Sequence, residues 1–238
     1  CHCPVCLSKD PKDKRWRSSI LIEKGETKVV IDTGYEFRLQ CLRAGIERLD
    51  GVLYTHTHPD HLAGLDDLRA FYREGKSIDV WGSEINIDKI KTLFPYAFKP
   101  FSSDGLPHLS PHYAISGVPF FVGEIEFLPF SMIHGCRETT GYRFGKCAYV
   151  TDVSDFREEE NLGYLSNLDV LIIDGLMENR HPSHLSFGEA SEIGKKCGAK
   201  KVYFTHISHT MKHEDILEKY KGIAEPSYDT MTLEVEDE

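Results

Sequence analysis

The stretch GVLYTHTHPDHLAGL, residues 51–65, fixes a strand, a helix start and a cluster of donors at their junction. His56, His58, Asp60 and His61 follow directly on an apolar run. In a strand, side chains at i and i+2 share a face, so His56 and His58 point the same way as the strand ends. Pro59 suits the first position of a helix, so the chain turns there and leaves Asp60 and His61 beside the two histidines. The run thus splits into two pairs, each able to serve one cation. Imidazole and carboxylate suit zinc, manganese or iron. A lone histidine would read as solvated; four donors in six residues do not.

The rest of the chain alternates strands and helices around this junction. Residues 18–24 and 28–34 read as strands joined at Gly25, and 36–48 as a helix. Strand 51–56 leads into a helix from Pro59 to Arg73, then strand 78–83 and a helix over 86–94. Residues 95–118 hold four of the 11 prolines and no clear period, so they read as an irregular insertion, a flap over a site. Strands are expected over 120–130, 141–152, 169–175 and 200–206. Helices are expected over 157–166, 187–198 and 213–221, and the tail MTLEVEDE reads as a final strand. Alternation in two runs predicts one layered α/β domain over 1–238, with sheets inside and helices outside. A chain of 238 residues can bury such a core without disulfides.

The net charge of -10 argues against nucleic acid and anionic membranes as partners. No apolar stretch of about 18 residues is present, so neither a membrane-spanning helix nor a signal peptide is expected. The chain begins at Cys1 rather than Met, and a preceding segment is expected. Seven cysteines, three of them in the opening CHCPVC, fit metal binding in a reducing compartment, hence the cytoplasm.

HTHPDH resembles the signature of the metallo-β-lactamase superfamily, and further elements follow in that family's order. These are Asp32 in IDTG, His134 in SMIHG, Asp152 in YVTDVS and His206 in YFTHISH. The resemblance implies an α/β fold of four-layer αβ/βα sandwich type with two divalent ions. His56, His58, His134 and Asp152 would hold one; Asp60, His61, Asp152 and His206 the other. Asp32 would orient ligands by hydrogen bonding. CxCxxC can offer three thiols to one zinc, the fourth ligand being His2 by proximity or His209. Within the superfamily, CxCxxC together with THISH resembles the phosphoribosyl 1,2-cyclic phosphate phosphodiesterase type of the carbon–phosphorus lyase pathway. That implies a structural zinc on Cys1, Cys3, Cys6 and His209, with a glycine-rich strand before the cysteines.

Two divalent ions (manganese or zinc, with iron also suited) make an electropositive site within an acidic protein, fit for an anionic phosphate ester. The expected activity is a phosphodiesterase cleaving a small cyclic or sugar/nucleotide phosphodiester, using hydroxide supplied by the two-metal centre. Asp60 and His184 are the candidate catalytic side chains. His184 in HPSHLSFGEA resembles the histidine that superfamily phosphodiesterases place over the substrate, and His181 is its rival. A transfer-RNA 3′-processing endonuclease shares HxHxDH, but residues 84–118 carry Lys89, Lys91 and Lys99 without a dense basic patch. A (thio)ester hydrolase is a further alternative. From another class comes a metal-binding cofactor-biosynthesis protein, like those for pyrroloquinoline quinone, whose motif departs from HxHxDH. A homodimer is the default oligomer. His2, His108, His112 and His213 are expected to be structural or exposed, and Cys41, Cys136, Cys147 and Cys197 to lie in the core.

Overall fold

The computed structural model describes residues 1–72, 77–99, 105–157 and 159–235. They form two compact units, 17–129 and 1–16 with 130–238.

In unit 17–129, β1 (Ile20–Lys24) and β2 (Thr27–Ile31) form an antiparallel hairpin, reversed at Gly25 with φ +55°. Then β3 (Gly51–Leu53), β4 (Ile78–Gly82) and β5 (Leu109–Tyr113) add in parallel, in the order β1-β2-β3-β4-β5. Parallel neighbours need crossover connections. Helices α1 (Phe37–Ala44) and α3 (Glu84–Leu93) lie in two of them. Gly45 ends α1 in the left-handed conformation, and the Ser83 hydroxyl caps α3 by accepting the Asn86 N–H. Val30, Phe37, Val52, Leu65, Val80 and Ile87 form the core against these helices.

The expected helix from Pro59 to Arg73 is broken. Helix α2 covers only Pro59–Leu62, a 3-10 helix follows over Leu65–Phe71, and Arg73 lies outside the described residues. The cause is a close approach to the loop after β2. Thr33 N–H donates to His61 O (2.7 Å) and Gly64 N–H to Thr33 O (2.9 Å). A Cβ at Gly64 would lie 2.3 Å from Gly34 O and 2.8 Å from the Phe37 Cβ.

The stretch 95–118 also departs from expectation. Residues 100–104 lie outside the described residues, but a 3-10 helix covers Pro95–Phe98 and β5 is a regular sheet strand. As an edge strand, β5 accommodates Pro111, and the His112 ring stacks on Trp81 at 4.5 Å. A further hairpin joins β6 (Phe120–Val122) to β7 (Ile125–His134), which carries the chain across the boundary at Pro129 and Phe130.

In the other unit, β8 (Arg137–Phe144) pairs antiparallel with β9 (Cys147–Val150). Strands β9, β10 (Val170–Asp174), β11 (Lys201–Thr205) and β12 (Glu225–Pro226) are parallel neighbours. Helices α4 (Glu159–Gly163), α5 (Phe187–Cys197) and α6 (His213–Lys219) lie between them in the chain. A reciprocal cap between Ser186 and Glu189 starts α5. The core gathers Phe130, Leu171, Ile173, Phe187, Phe204 and Ile216.

Three expectations fail in this unit. The run 141–152 is not one strand but is divided between β8 and β9, reversed at Gly145 with φ +54°. The tail over 231–235 forms no strand, and 236–238 lie outside the described residues. Glu225 and Pro226 already take the free edge of β11, so Met231 and Leu233 pack instead near Cys147, Val170 and Tyr203. Cys41 and Cys147 are buried and Cys197 half-buried, but Cys136 is exposed. It sits with Gly135 (φ +62°) in the tight turn between β7 and β8, which has no interior to bury it. His108 and His213 are buried, as a structural role requires, and His2 is exposed. Among the described residues no helix is long and apolar enough to cross a membrane.

Gly64→Ala is expected to destabilise the protein by about 1–3 kcal/mol, because the contacting carbonyl belongs to another backbone segment. Gly163→Ala, with no neighbour within 4 Å, is expected to be neutral or to stabilise by up to ~1 kcal/mol. Thermal melts of the two variants test the pair; equal melting points would refute the packing argument.

Candidate metal centre

In unit 17–129 the chain leaves β3 through buried Tyr54, Thr55 and His56. Asp32, the first residue after β2, is fully buried with φ +66°. Its carboxylate accepts the Thr55 N–H (2.9 Å), the Thr55 hydroxyl (2.8 Å) and the His61 Nδ1–H (2.7 Å). With Nδ1 held, His61 presents Nε2, which lies 3.5 Å from Asp60 Oδ2. Thr55 Oγ1 also lies 3.0 Å from His56 Nδ1. The His56 ring stands 4.6 Å from that of His58 and 4.4 Å from that of His61. Asn86 of α3 donates to Thr55 O (3.1 Å) and steadies the turn. Burial pushes the Asp32 carboxyl up, against the opposing pull of His61.

The other unit gathers a matching set. His134 ends β7; its Nδ1–H donates to Ser183 O (2.7 Å), and its Nε2 lies 3.7 Å from Asp152 Oδ1. Asp152 follows β9 with φ +52° and accepts the Thr151 hydroxyl at Oδ2 (2.8 Å). That same oxygen lies 3.5 Å from Nε2 of His206, which follows β11 with φ +56°. His184 donates Nδ1–H to Asp174 Oδ2 (2.9 Å), and its Nε2 lies 3.9 Å from Asp152 Oδ1. Its ring stacks on His206 at 4.9 Å. His181 touches the His184 ring at 5.2 Å and accepts from Ser183.

Ligands held about 2.1 Å from a tetrahedral ion stand roughly 3.4 Å apart. The imidazole–carboxylate gaps of 3.5–3.9 Å are close to that spacing, so these residues fit a cation. Burial lowers the pKa of His134 and raises that of Asp174, the latter opposed by its bond to His184. Among the described residues, Asp32, Asp152 and His206 are three of the six non-glycine ones with positive φ, and such strain gathers at functional sites.

Asp174 was missed in the sequence, although DVLIIDG ends an apolar strand in an acid just as YVTD does. It is fully buried, and Oδ2 also accepts the Val153 N–H (3.1 Å).

A second donor set lies in the same unit. The Sγ atoms of Cys1, Cys3 and Cys6 stand 3.5, 3.4 and 3.6 Å from His209 Nδ1. A tetrahedral zinc with Zn–S ~2.3 Å and Zn–N ~2.0 Å sets sulfur and nitrogen about 3.5 Å apart. The Cys6 N–H bonded to the Cys3 Sγ, and then His209, pull the Cys3 thiol down to about 6. Exposed His2 is not in this set.

A family model described as a beta-lactamase superfamily domain matches residues 27–207. A crystal structure described as a new diphosphatase from the PhnP family is 34% identical, with a TM-score of 0.91, over 99% of this chain and 91% of that one. The octanoyltransferase of Porphyromonas gingivalis is 36% identical over 92% of this chain, which spans only 44% of that protein's length. The probable metallo-hydrolase YhfI of Bacillus subtilis is 21% identical over 92% of this chain and 91% of its own. On these matches and the donor geometry, the chain belongs to the metallo-β-lactamase superfamily and carries its fold.

Proposed function

We propose that the protein is a metal-dependent phosphodiesterase acting on a small anionic phosphodiester, cyclic or of the sugar/nucleotide type. In this reading residues 1–238 form one catalytic domain. His56, His58, His134 and Asp152 hold one divalent ion, and Asp60, His61, Asp152 and His206 hold the other. Cys1, Cys3, Cys6 and His209 hold a structural zinc. The observation that carries the reading is Asp152, whose Oδ1 faces His134 while Oδ2 faces His206, as a carboxylate shared between two cations would. When bound, a cation pair lowers the pKa of water toward ~7 and neutralises charge on the phosphoryl oxygens.

The chain's own groups do the rest. Asp32, Thr55 and the Ser183 carbonyl fix which imidazole nitrogen points inward. Asp174 holds His184 Nδ1, so Nε2 is the atom left to protonate or hydrogen-bond the leaving oxygen. Asp60, partly exposed beside His61, can orient the attacking water as well as bind. The relative described as a diphosphatase supports phosphorus as the electrophile. Three cysteines placed as zinc ligands and four as thiols, Cys41, Cys136, Cys147 and Cys197, fit a reducing, cytoplasmic setting. Transfer-RNA processing is less supported, because Lys91 in the expected arm region is already paired with Asp88 and Tyr113. A second reading, hydrolysis of an acyl (thio)ester, is favoured by the similarity to a protein named octanoyltransferase.

Protein purified without chelator should contain two active-site ions and one zinc per chain by elemental analysis. Asp152→Ala should lose at least one ion and most turnover of bis-p-nitrophenyl phosphate while staying folded. Cys3→Ser should lose only the zinc and melt earlier. His184→Ala should cut kcat by ~10²–10⁴ on substrates with poor leaving groups. With p-nitrophenolate, which leaves without a proton, the loss should be small. Turnover of octanoyl thioesters with none of phosphodiesters would reverse the choice of reaction.

A further inference from the structure

We propose that Arg15 is a positioning residue of the metal centre: its guanidinium clamps the loop that carries His206 and so holds that imidazole against Asp152. The inference rests on the proposed role of His206 as a ligand.

Residues 1–16 form a strap that belongs to the same unit as the loop between β11 and α6. Arg15 lies mostly covered in the strap, with 11% of its side chain exposed. Nη1 donates to Ser208 O (2.8 Å) and Met211 O (3.1 Å), and Nη2 to Met211 O (3.1 Å). Asp13 lies 3.4 Å from Nη2 and accepts the His213 N–H (2.7 Å) at the same oxygen. The loop is therefore wrapped around one planar cation, with carbonyls three residues apart turned inward.

Such a fork spans two carbonyls at once, which a lysine ammonium on its flexible stem does less well. Burying a guanidinium is costly, and this one leaves Nε without a hydrogen-bond partner among the described residues. Its hydrogen bonds to Ser208 and Met211 and the Asp13 carboxylate offset that cost, and together they fix the loop's shape. The shape fixes His206, two residues before Ser208, in the left-handed conformation that non-glycine residues avoid. Ser208 N–H is pinned from the other side by Leu176 O (2.9 Å). Released from Arg15, the backbone at His206 can relax toward the ordinary region and carry Nε2 away from Asp152. The thiol set grips the loop at His209, but one residue beyond Ser208, so it does not replace the clamp.

The test uses full-length Arg15→Gln and Arg15→Lys proteins beside wild type and His206→Ala. Cobalt(II) is the probe, with zinc retained at the cysteine set. Expected for Arg15→Gln is one zinc still bound, the His206-dependent cobalt bound ~10-fold or more weakly, and an altered visible spectrum. Amides 206–211 should exchange faster, and excess metal should restore kcat. Arg15→Lys should fall between Arg15→Gln and wild type, and it decides the matter if Arg15→Gln does not fold. Unchanged cobalt affinity and spectrum in the Arg15 variants, with both changed in His206→Ala, would overturn the clamp alone. Unchanged affinity in His206→Ala would overturn the ligand assignment beneath it. Loss of the zinc together with the cobalt in Arg15→Lys would also overturn the clamp, by tracing the effect to the cysteine staple.

Discussion

An imidazole offers two nitrogens, and the bond made by one decides where the other points. His61 is tied through Nδ1 to Asp32, His134 to the Ser183 carbonyl, and His184 to Asp174. Each therefore presents Nε2. Two of the three acceptors are fully buried carboxylates, and burial pushes both up. An isolated carboxylate in such a place is expensive, so each is held by more than one donor, Asp32 by Thr55 and His61 and Asp174 by Val153 and His184. Positive charge at Nε2 would favour the ionised acid further. The buried acids thus fix which nitrogen His61 and His184 present, independent of any motif.

The backbone explains how residues distant in the chain arrive together. Strands β9, β10 and β11 are parallel neighbours, so their carboxyl ends lie on one side. Adjacent strands stand about 4.8 Å apart. Asp152, Asp174 and His206 end or follow those three strands, and the spacing alone brings them within reach of one another. In the other unit the ends of β2 and β3 deliver Asp32 and Thr55 in the same way. Parallel sheets place ligand-handling loops at these ends as a rule. The left-handed residues Asp32, Asp152 and His206 are where the chain turns off the sheet with its side chain still over the edge.

This also separates what was legible in the sequence from what was not. Apolar runs ending in His or Asp are local signals, so β2, β3, β10 and β11 and the first donor cluster could be read directly, whereas the reversal at Gly145 that splits 141–152 between β8 and β9 could not. The break between α2 and the next turn could not, because it comes from Gly64 meeting Gly34 across about thirty residues. Strand β5 was hidden by Pro111 and His112, which read as loop until the edge position and the Trp81 stack are known. Asp174 was hidden for a different reason: it contributes through another residue, and a strand-end acid has no signature for that. Cys136 was misread because a hydrophobic residue type says nothing of a two-residue turn.

The two donor sets differ in what a bound cation could contribute. The cysteine set closes a loop of 208 residues between Cys1 and His209. In the chain-entropy account, a cross-link closing a loop of that size restricts the unfolded chain by about 5 kcal/mol. That rivals the net stability of ~5–15 kcal/mol of a whole domain. Four donors around one point also leave no position for substrate, so this set suits stability and not turnover. The histidine set faces the opposite demand, since its residues already stand on strand ends fixed by the sheet. A cation there adds little restriction, and its favourable interaction can be directed at a ligand that completes the coordination. The same cation chemistry would thereby be divided by topology: the distant tether would stabilise the fold, and the sheet edge would remain available for chemistry.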